Sequence, residues 1–382
     1  MKPTGITKQT IAHQPSWRFA SDRVEAFLTC RGGHLAPVTF QTEAGPVQPF
    51  AIAPWHGEPF PPGLPGVLRS LRGDFFCAPF GGNAKPWRGE QHPTHGETAE
   101  GAWKLLARES GAGALTAELK TRVRPGRVVK RLTLRPGETN LYLRHELHGM
   151  SGPMCLGHHA TLKFPDQPGS GHIALSPWRF AQTCPEQFES PAQGGYSSLK
   201  IGAKFRDLRR VPLATGGTTD LTRYPARAGF EDLVMLSSCA DTPVAWTAVT
   251  FPEQRYVWFA LKDPRVLAST VLWHSNGGRH MAPWSSRHRS VLGLEDVTSY
   301  FHFGLAASAA PNPVSRRGIP TTLRLDPRRP LVVPYIMAVA AIPRGFDTVG
   351  RVDFHGDHLV LRAASGKTVR HAVDLSFLSP DS

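Results

Sequence analysis

No stretch of this 382-residue chain reaches the ~18 consecutive apolar residues that a membrane-spanning helix needs. Its opening, MKPTGITKQTIAHQPSW, lacks the apolar segment of a secretory signal. No membrane association is expected, and the expected location is the cytoplasm. Cysteine is scarce. Cys30, Cys77, Cys155, Cys184 and Cys239 are odd in number, widely separated and without a CxxC, which argues against a disulfide framework or a cysteine zinc site and leaves reduced thiols. Acidic residues are also outnumbered, 30 against 44 basic ones, for a net charge of +14. Such an excess favours nucleic acid when it is clustered. Here Arg209-Arg210, Arg316-Arg317 and Arg328-Arg329 stand far apart, with no aromatic-interleaved basic motif beside them. No nucleic-acid partner is expected, and a basic pocket for an anionic small molecule accounts equally well for part of the charge.

Glycine (37) and proline (35) make up nearly a fifth of the residues, beside 40% hydrophobic ones. That is the composition of a loop-rich globular protein. Helical periodicity is hard to find, whereas alternation with a period of two recurs between turn signals, the pattern of half-buried strands. The clearest run is 115–147. In LTAELKTRV, Leu115, Ala117, Leu119 and Val123 point one way and Glu118, Lys120 and Arg122 the other. Turns follow at Pro125-Gly126 and Pro136-Gly137, on either side of VVKRLTL, and LYLRHEL puts Leu141, Leu143 and Leu147 on one face; this predicts an antiparallel meander. Further strands are predicted at Leu233–Leu236, Tyr256–Leu261, Val291–Leu294, Thr322–Leu325, Tyr335–Ala340, Val352–Phe354 and Leu359–Leu361, with a hairpin tip at 355–358. No fixed-period repeat or linker appears. The expected fold class is all-β: one large antiparallel β-sandwich domain over 1–382, with an irregular N-terminal segment 1–20.

Chemical motifs are mostly excluded. His92 and His95, like His355 and His358, have HxxH spacing, but neither pair lies on a helical pattern or has the glutamate of HExxH, so no metal is expected. There is no GxSxG elbow, and GGTTD (216–220) and NGGRH (276–280) read as turns rather than phosphate loops. What remains is histidines and carboxylates, the groups that transfer protons without a cofactor. No cofactor is expected.

At this point the chain resembles the aldose 1-epimerases, of galactose mutarotase-like fold, and most closely the hexose-6-phosphate 1-epimerase branch. The resemblance rests on RGDFFCAPFGGN (72–83), HGETAEGAW (95–103), the GHH of MSGPMCLGHHATLKFP, and VLGLEDVTSYF; it runs from about Gly33 to Phe354. It implies Glu295 and His159 as the catalytic pair, with His158 the other candidate for the histidine. Glu295 accepts the proton of the C1 hydroxyl while His159, as imidazolium, protonates the ring oxygen. It further implies substrate binding by His95, Arg72, Asn83 and Asp232, with Asp220 as the alternative aspartate, and stacking by Trp103 or Trp273. Two departures stand out. Ala99 occupies the place of the branch's phosphate-clamping arginine, and Asp296 that of its proline. The expected partner is a small-molecule sugar, with an anionic one kept open; the oligomeric state is not fixed.

Each residue also has a structural reading. Glu295 can face solvent, His159 and His95 can be hydrogen-bonded strand-end histidines, Arg72 can serve a salt bridge, and Asp220 and Asp232 can cap turns. Two other functions fit the same kind of sandwich: a noncatalytic carbohydrate-binding protein, which needs no convergent acid and base, and a lyase or other sugar isomerase, the six tyrosines offering no compelling candidate for the lyase.

Overall fold

Period-two patterning becomes strand almost everywhere in the computed structural model, which describes residues 5–379. Helix is confined, among the described residues, to one five-residue α-helix, Leu305–Ala309, and short 3-10 turns. Two sheets dominate. The nine-stranded one runs, from edge to edge, Arg223–Tyr224, Gly171–Leu175, Ala245–Phe251, Tyr256–Lys262, Leu331–Ala341, Asn140–His148, Gly126–Thr133, Ala114–Thr121 and Lys104–Leu105. The seven-stranded one orders Trp178–Thr183, Phe230–Ser238, Ser269–Asn276, Val291–Thr298, Leu156–His158 and Phe76–Cys77, with Ala160–Lys163 also paired to Val291–Thr298. All their pairings are antiparallel.

The 115–147 meander forms as patterned. Leu132 faces Leu115 on one side and Leu143 on the other, and Leu115, Ala117, Leu119, Leu141, Leu143 and Leu147 all enter the core between the two large sheets. Val123 lies beyond the strand, which ends at Thr121. Elsewhere alternation disappears. AWTAVTF and YVWFALK are buried at every position, because a second apolar layer covers the far face of the nine-stranded sheet. There a three-stranded sheet, Val349–Phe354, His358–Ala363 and Thr368–Ala372, places Leu359 and Leu361 against Val257, Phe259 and Ile336. A strand covered on both faces reads as a continuous hydrophobic run. The hairpin tip expected at 355–358 is present, closed by His355 N–H donating to the His358 carbonyl at 2.9 Å.

Of the segment 1–20, expected to be irregular, residues 1–4 lie outside the described residues and the rest depart from expectation. From Thr7 they form strands, Thr7–Ile11 and Gln14–Ala20, which open a five-stranded N-terminal sheet. Trp17 and Phe19 point into the core, which pins the register. The turn is made by Ala12 and His13, both in the left-handed region (φ 45° and 61°). Such turns normally announce themselves with glycine or asparagine, so no turn signal marks this hairpin in the sequence.

Candidate active site

Alternation along the strands of the seven-stranded sheet decides which polar groups meet. Val271 lies opposite Glu295 and Trp273 opposite Gly293, so Trp273, Glu295 and Leu233 share one face while His274 and Asp296 turn to the other. Gly293 makes room for the carboxylate. A Cβ there would stand 2.9 Å from Glu295 Oε1 and 3.0 Å from Trp273 Cβ. His159 sits at the break between Leu156–His158 and Ala160–Lys163, its N–H donating to the Phe75 carbonyl at 2.9 Å. Its ring is stacked on Phe75, centroids 4.5 Å apart.

Glu295 Oε1 and His159 Nε2 stand 3.2 Å apart, the two residues 3% and 4% exposed, in the wall of a 590 Å³ cavity that His95, His302, Trp273 and Arg279 also line. His95 reaches it from the loop after Asn83. Gly81 N–H donates to His95 Nδ1 at 3.3 Å, so a neutral His95 carries its proton on Nε2 and is a donor there. At the cavity's side Arg279 pairs with Glu189 at 2.6 Å, its guanidinium 4.5 Å from the Trp284 ring and 5.3 Å from that of Trp273.

Burial sets the proton affinities. It pushes Glu295 up to about 8, opposed by the positive charge of Arg279, and pulls His159 down to about 3. His95 falls well below its ordinary value for the same reason, helped by His159 and His302. Burial thus favours the proton on the carboxyl beside a neutral imidazole, where the sequence reading has a carboxylate and an imidazolium. Both arrangements hold one proton and no net charge.

Of the other expected site residues, Trp273 alone lines this cavity. Arg72 is buried with its guanidinium donating to the carbonyls of Ser70, Ile11 and Ala12, where it holds the unsignalled N-terminal turn. Asn83 donates to the carbonyls of Pro79, Gly81 and Pro93 and accepts from Leu305 N–H; it shapes the loops that deliver His95. Asp232 accepts from Ser198 and Leu199 N–H, the Ser198 hydroxyl and Arg227, and Asp220 caps Thr222. His158 faces the sandwich core, Nδ1 2.9 Å from Asp74 and ring stacked 4.1 Å from Tyr335. Trp103 is in the core, its indole N–H on the Thr98 carbonyl; Trp273 is in the cavity. His92 turns to Glu90 at 2.9 Å, and among the described residues no three His, Cys, Asp or Glu side chains are placed to hold a metal ion.

No family model and no curated protein sequence matches this chain. Solved structures do. One is described as a candidate aldose 1-epimerase from Escherichia coli K12, with TM-score 0.59 and 12% identity over 88% of this chain and 100% of that one. A second is a candidate mutarotase from Salmonella typhimurium, with TM-score 0.55 and 13% identity over 88% and 94%. A third is a galactose mutarotase related enzyme from Lactobacillus acidophilus, with TM-score 0.55 and 10% identity over 86% and 99%. The fold is galactose mutarotase-like. No helix among the described residues is long and apolar enough to cross a membrane.

Within this mutarotase-like sandwich, sequence reasoning missed Arg279, Glu189, His302 and Glu231. The last lies one position from Asp232, on the cavity face of its strand. It is fully buried, pushed up to about 7 by burial, and accepts from Trp273 Nε1 at 2.8 Å and the Ser275 hydroxyl at 3.0 Å. Period two was the available signal: Leu233 lines the cavity, so Glu231 and not Asp232 shares its face.

The raised proton affinity of Glu295 has a measurable cost. The folded protein keeps this proton up to about pH 8, whereas the unfolded chain loses it near 4.5, so Glu295 withdraws stability as pH rises through that window. Glu295→Gln, neutral at every pH, is expected to be more stable than wild type by a few kcal/mol at pH 9, with the difference vanishing toward pH 4.5. Urea unfolding at pH 5, 7 and 9 measures it; a pH-independent difference would show that Glu295 is not protonated in the folded state.

Proposed function

We propose that this protein is an aldose 1-epimerase-like isomerase that interconverts the α and β anomers of a sugar without a cofactor. The observation that carries the reading is the contact between Glu295 and His159, an acid and a base of inverted proton affinity meeting in one cavity. Mutarotation needs that arrangement, because the C1 hydroxyl and the ring oxygen are bonded to the same carbon. His159 takes the hydroxyl proton, the bond between C1 and the ring oxygen breaks with its electrons moving to that oxygen, a C1 carbonyl forms, and the Glu295 carboxyl protonates the ring oxygen. The aldehyde then turns about the C1–C2 bond and closes from its other face. Closure runs the same transfers backward and restores the neutral pair. From the opposite tautomer the two residues exchange roles, so either direction conserves the proton. His95 offers an N–H to a sugar oxygen, and Trp273 a flat apolar face.

A phosphorylated hexose is disfavoured. Ala99 is buried in the 3-10 turn Glu97–Ala99 and does not reach the cavity. Arg279, the cation among the described lining residues, already has Glu189 as its partner. Five free thiols agree with a cytoplasmic location.

Two-dimensional exchange NMR on neutral, phosphorylated and acidic sugars tests the reading. Anomer exchange faster than in buffer is expected for at least one neutral sugar. Buffer-rate exchange across the whole panel would leave a carbohydrate binder instead.

A further inference from the structure

Beside the acid and base, and besides the polar Thr94, Gln193 and His302, much of the cavity wall is apolar. Leu64, Val67, Leu68 and Leu71 come from the single segment 64–71, and Phe188 joins them from another loop. Val67 and Leu71 are buried, but Leu64 and Leu68 are only half-buried, so aliphatic surface is left facing the cavity. The side chains expected to hold sugar hydroxyls, Arg72, Asn83 and Asp232, are occupied elsewhere by the carbonyls and amides described above. A hydroxyl pressed on this wall would lose its water partners and gain none. The cavity, at 590 Å³, falls within the range of about 300–1,000 Å³ that encloses drug-sized ligands, more than one pyranose fills.

We propose that the substrate is a reducing sugar carrying an apolar substituent, the ring lying over Glu295 and His159 and the substituent along Leu64, Val67, Leu68, Leu71 and Phe188. This deepens the epimerase reading and rests on it for the ring's position alone. Charge points the same way. The Arg279–Glu189 pair leaves the cavity's side neutral, and Trp284 and Trp273 lie against the guanidinium, so nothing there selects a phosphate or a carboxylate. Met281, half-buried on the cavity lining, adds an unbranched side chain that adapts to ligands of different length.

The test is titration calorimetry and exchange NMR on the full-length protein with glucose, its 6-O-methyl, 6-O-butyl and 6-O-hexyl ethers, glucose 6-phosphate, and octyl β-glucoside, which has no free anomeric hydroxyl. Affinity is expected to rise by up to roughly four-fold per buried methylene, with glucose 6-phosphate weaker than the hexyl ether. In Leu68→Asn, checked for folding by its thermal midpoint, that dependence on chain length flattens. Should the variant fail to fold, saturation transfer from leucine methyls to the ligand's alkyl protons in wild type replaces it. Affinity independent of chain length, or a preference for the phosphate, overturns the proposal. Chain-length-dependent binding of the ethers and octyl β-glucoside with no exchange of any reducing sugar would keep the apolar subsite and remove the epimerase. Exchange of glucose and its ethers with equal affinity would do the reverse.

Discussion

Glu295→Gln is expected to slow anomer exchange by roughly 10²–10⁴-fold, the usual contribution of one general acid or base. The amide keeps the shape of the carboxyl beside Gly293 and Trp273 but can neither give up nor receive the transferred proton. His159→Asn should lose a similar factor. Because the two groups hold one proton between them, the double variant should be little worse than either single one. The same sharing fixes the pH profile of kcat/KM. The one-proton state extends from the His159 value of about 3 to the Glu295 value of about 8, so activity should be flat through neutrality and fall tenfold per pH unit above about 8. Steady-state exchange rates between pH 5 and 10 check this. A Glu295→Gln enzyme within threefold of wild type, or an alkaline limb that is missing, would remove Glu295 from the chemistry.

The largest stability loss is expected from Lys262, which the nine-stranded sheet presents to the core-facing side of the sheet that carries Glu295. Its ammonium, fully buried between the two large sheets, donates to Asp296 at 2.5 Å and to the Ser269 carbonyl and Thr270 hydroxyl at 2.8 Å. Asp296 also receives the Tyr335 hydroxyl at 2.7 Å and that of Thr270 at 2.6 Å. Burial lowers the proton affinity of Lys262 and the Asp296 carboxylate restores part of it. Removing one member strands the other charge in the core. Lys262→Met should therefore cost about 3–5 kcal/mol, whereas Lys262→Met with Asp296→Leu should recover much of it, since a buried pair replaced by hydrocarbon is often neutral or better. Equilibrium urea unfolding distinguishes the two. A single-variant loss below about 1 kcal/mol would mean that water or a rotamer change relieves the carboxylate.

Legibility in the sequence followed exposure. The 115–147 meander could be read strand by strand because one of its faces carries charge, whereas Tyr256–Lys262, covered on both sides, shows only an apolar run in which Lys262 looks accidental. Glu295 was legible as a carboxylate in an apolar segment, an arrangement that is costly without a partner or a purpose. Its neighbour Asp296 was noticed only as a missing proline, because its partner Lys262 lies 34 positions away. Arg279 and Glu189 come from loops 90 residues apart, with no periodicity to connect them. Arg72 and Asn83 stand out only through the resemblance of RGDFFCAPFGGN, and their part in holding turns is hidden because the carbonyls they bind carry no side-chain signature.

The strand Val291–Thr298 carries consequences for how this protein can change over evolutionary time. Glu295 and Asp296 are adjacent letters with opposite destinations, one toward the cavity and one toward Lys262 and Tyr335, and His159 and His158 divide in the same way. Inserting or deleting one residue in that strand would exchange the destinations, delivering an aspartate to the cavity and an unpaired glutamate to the interior. Point substitutions can retune the chemistry at this place, but a frame of single-residue accuracy is locked in by the ion pair behind it.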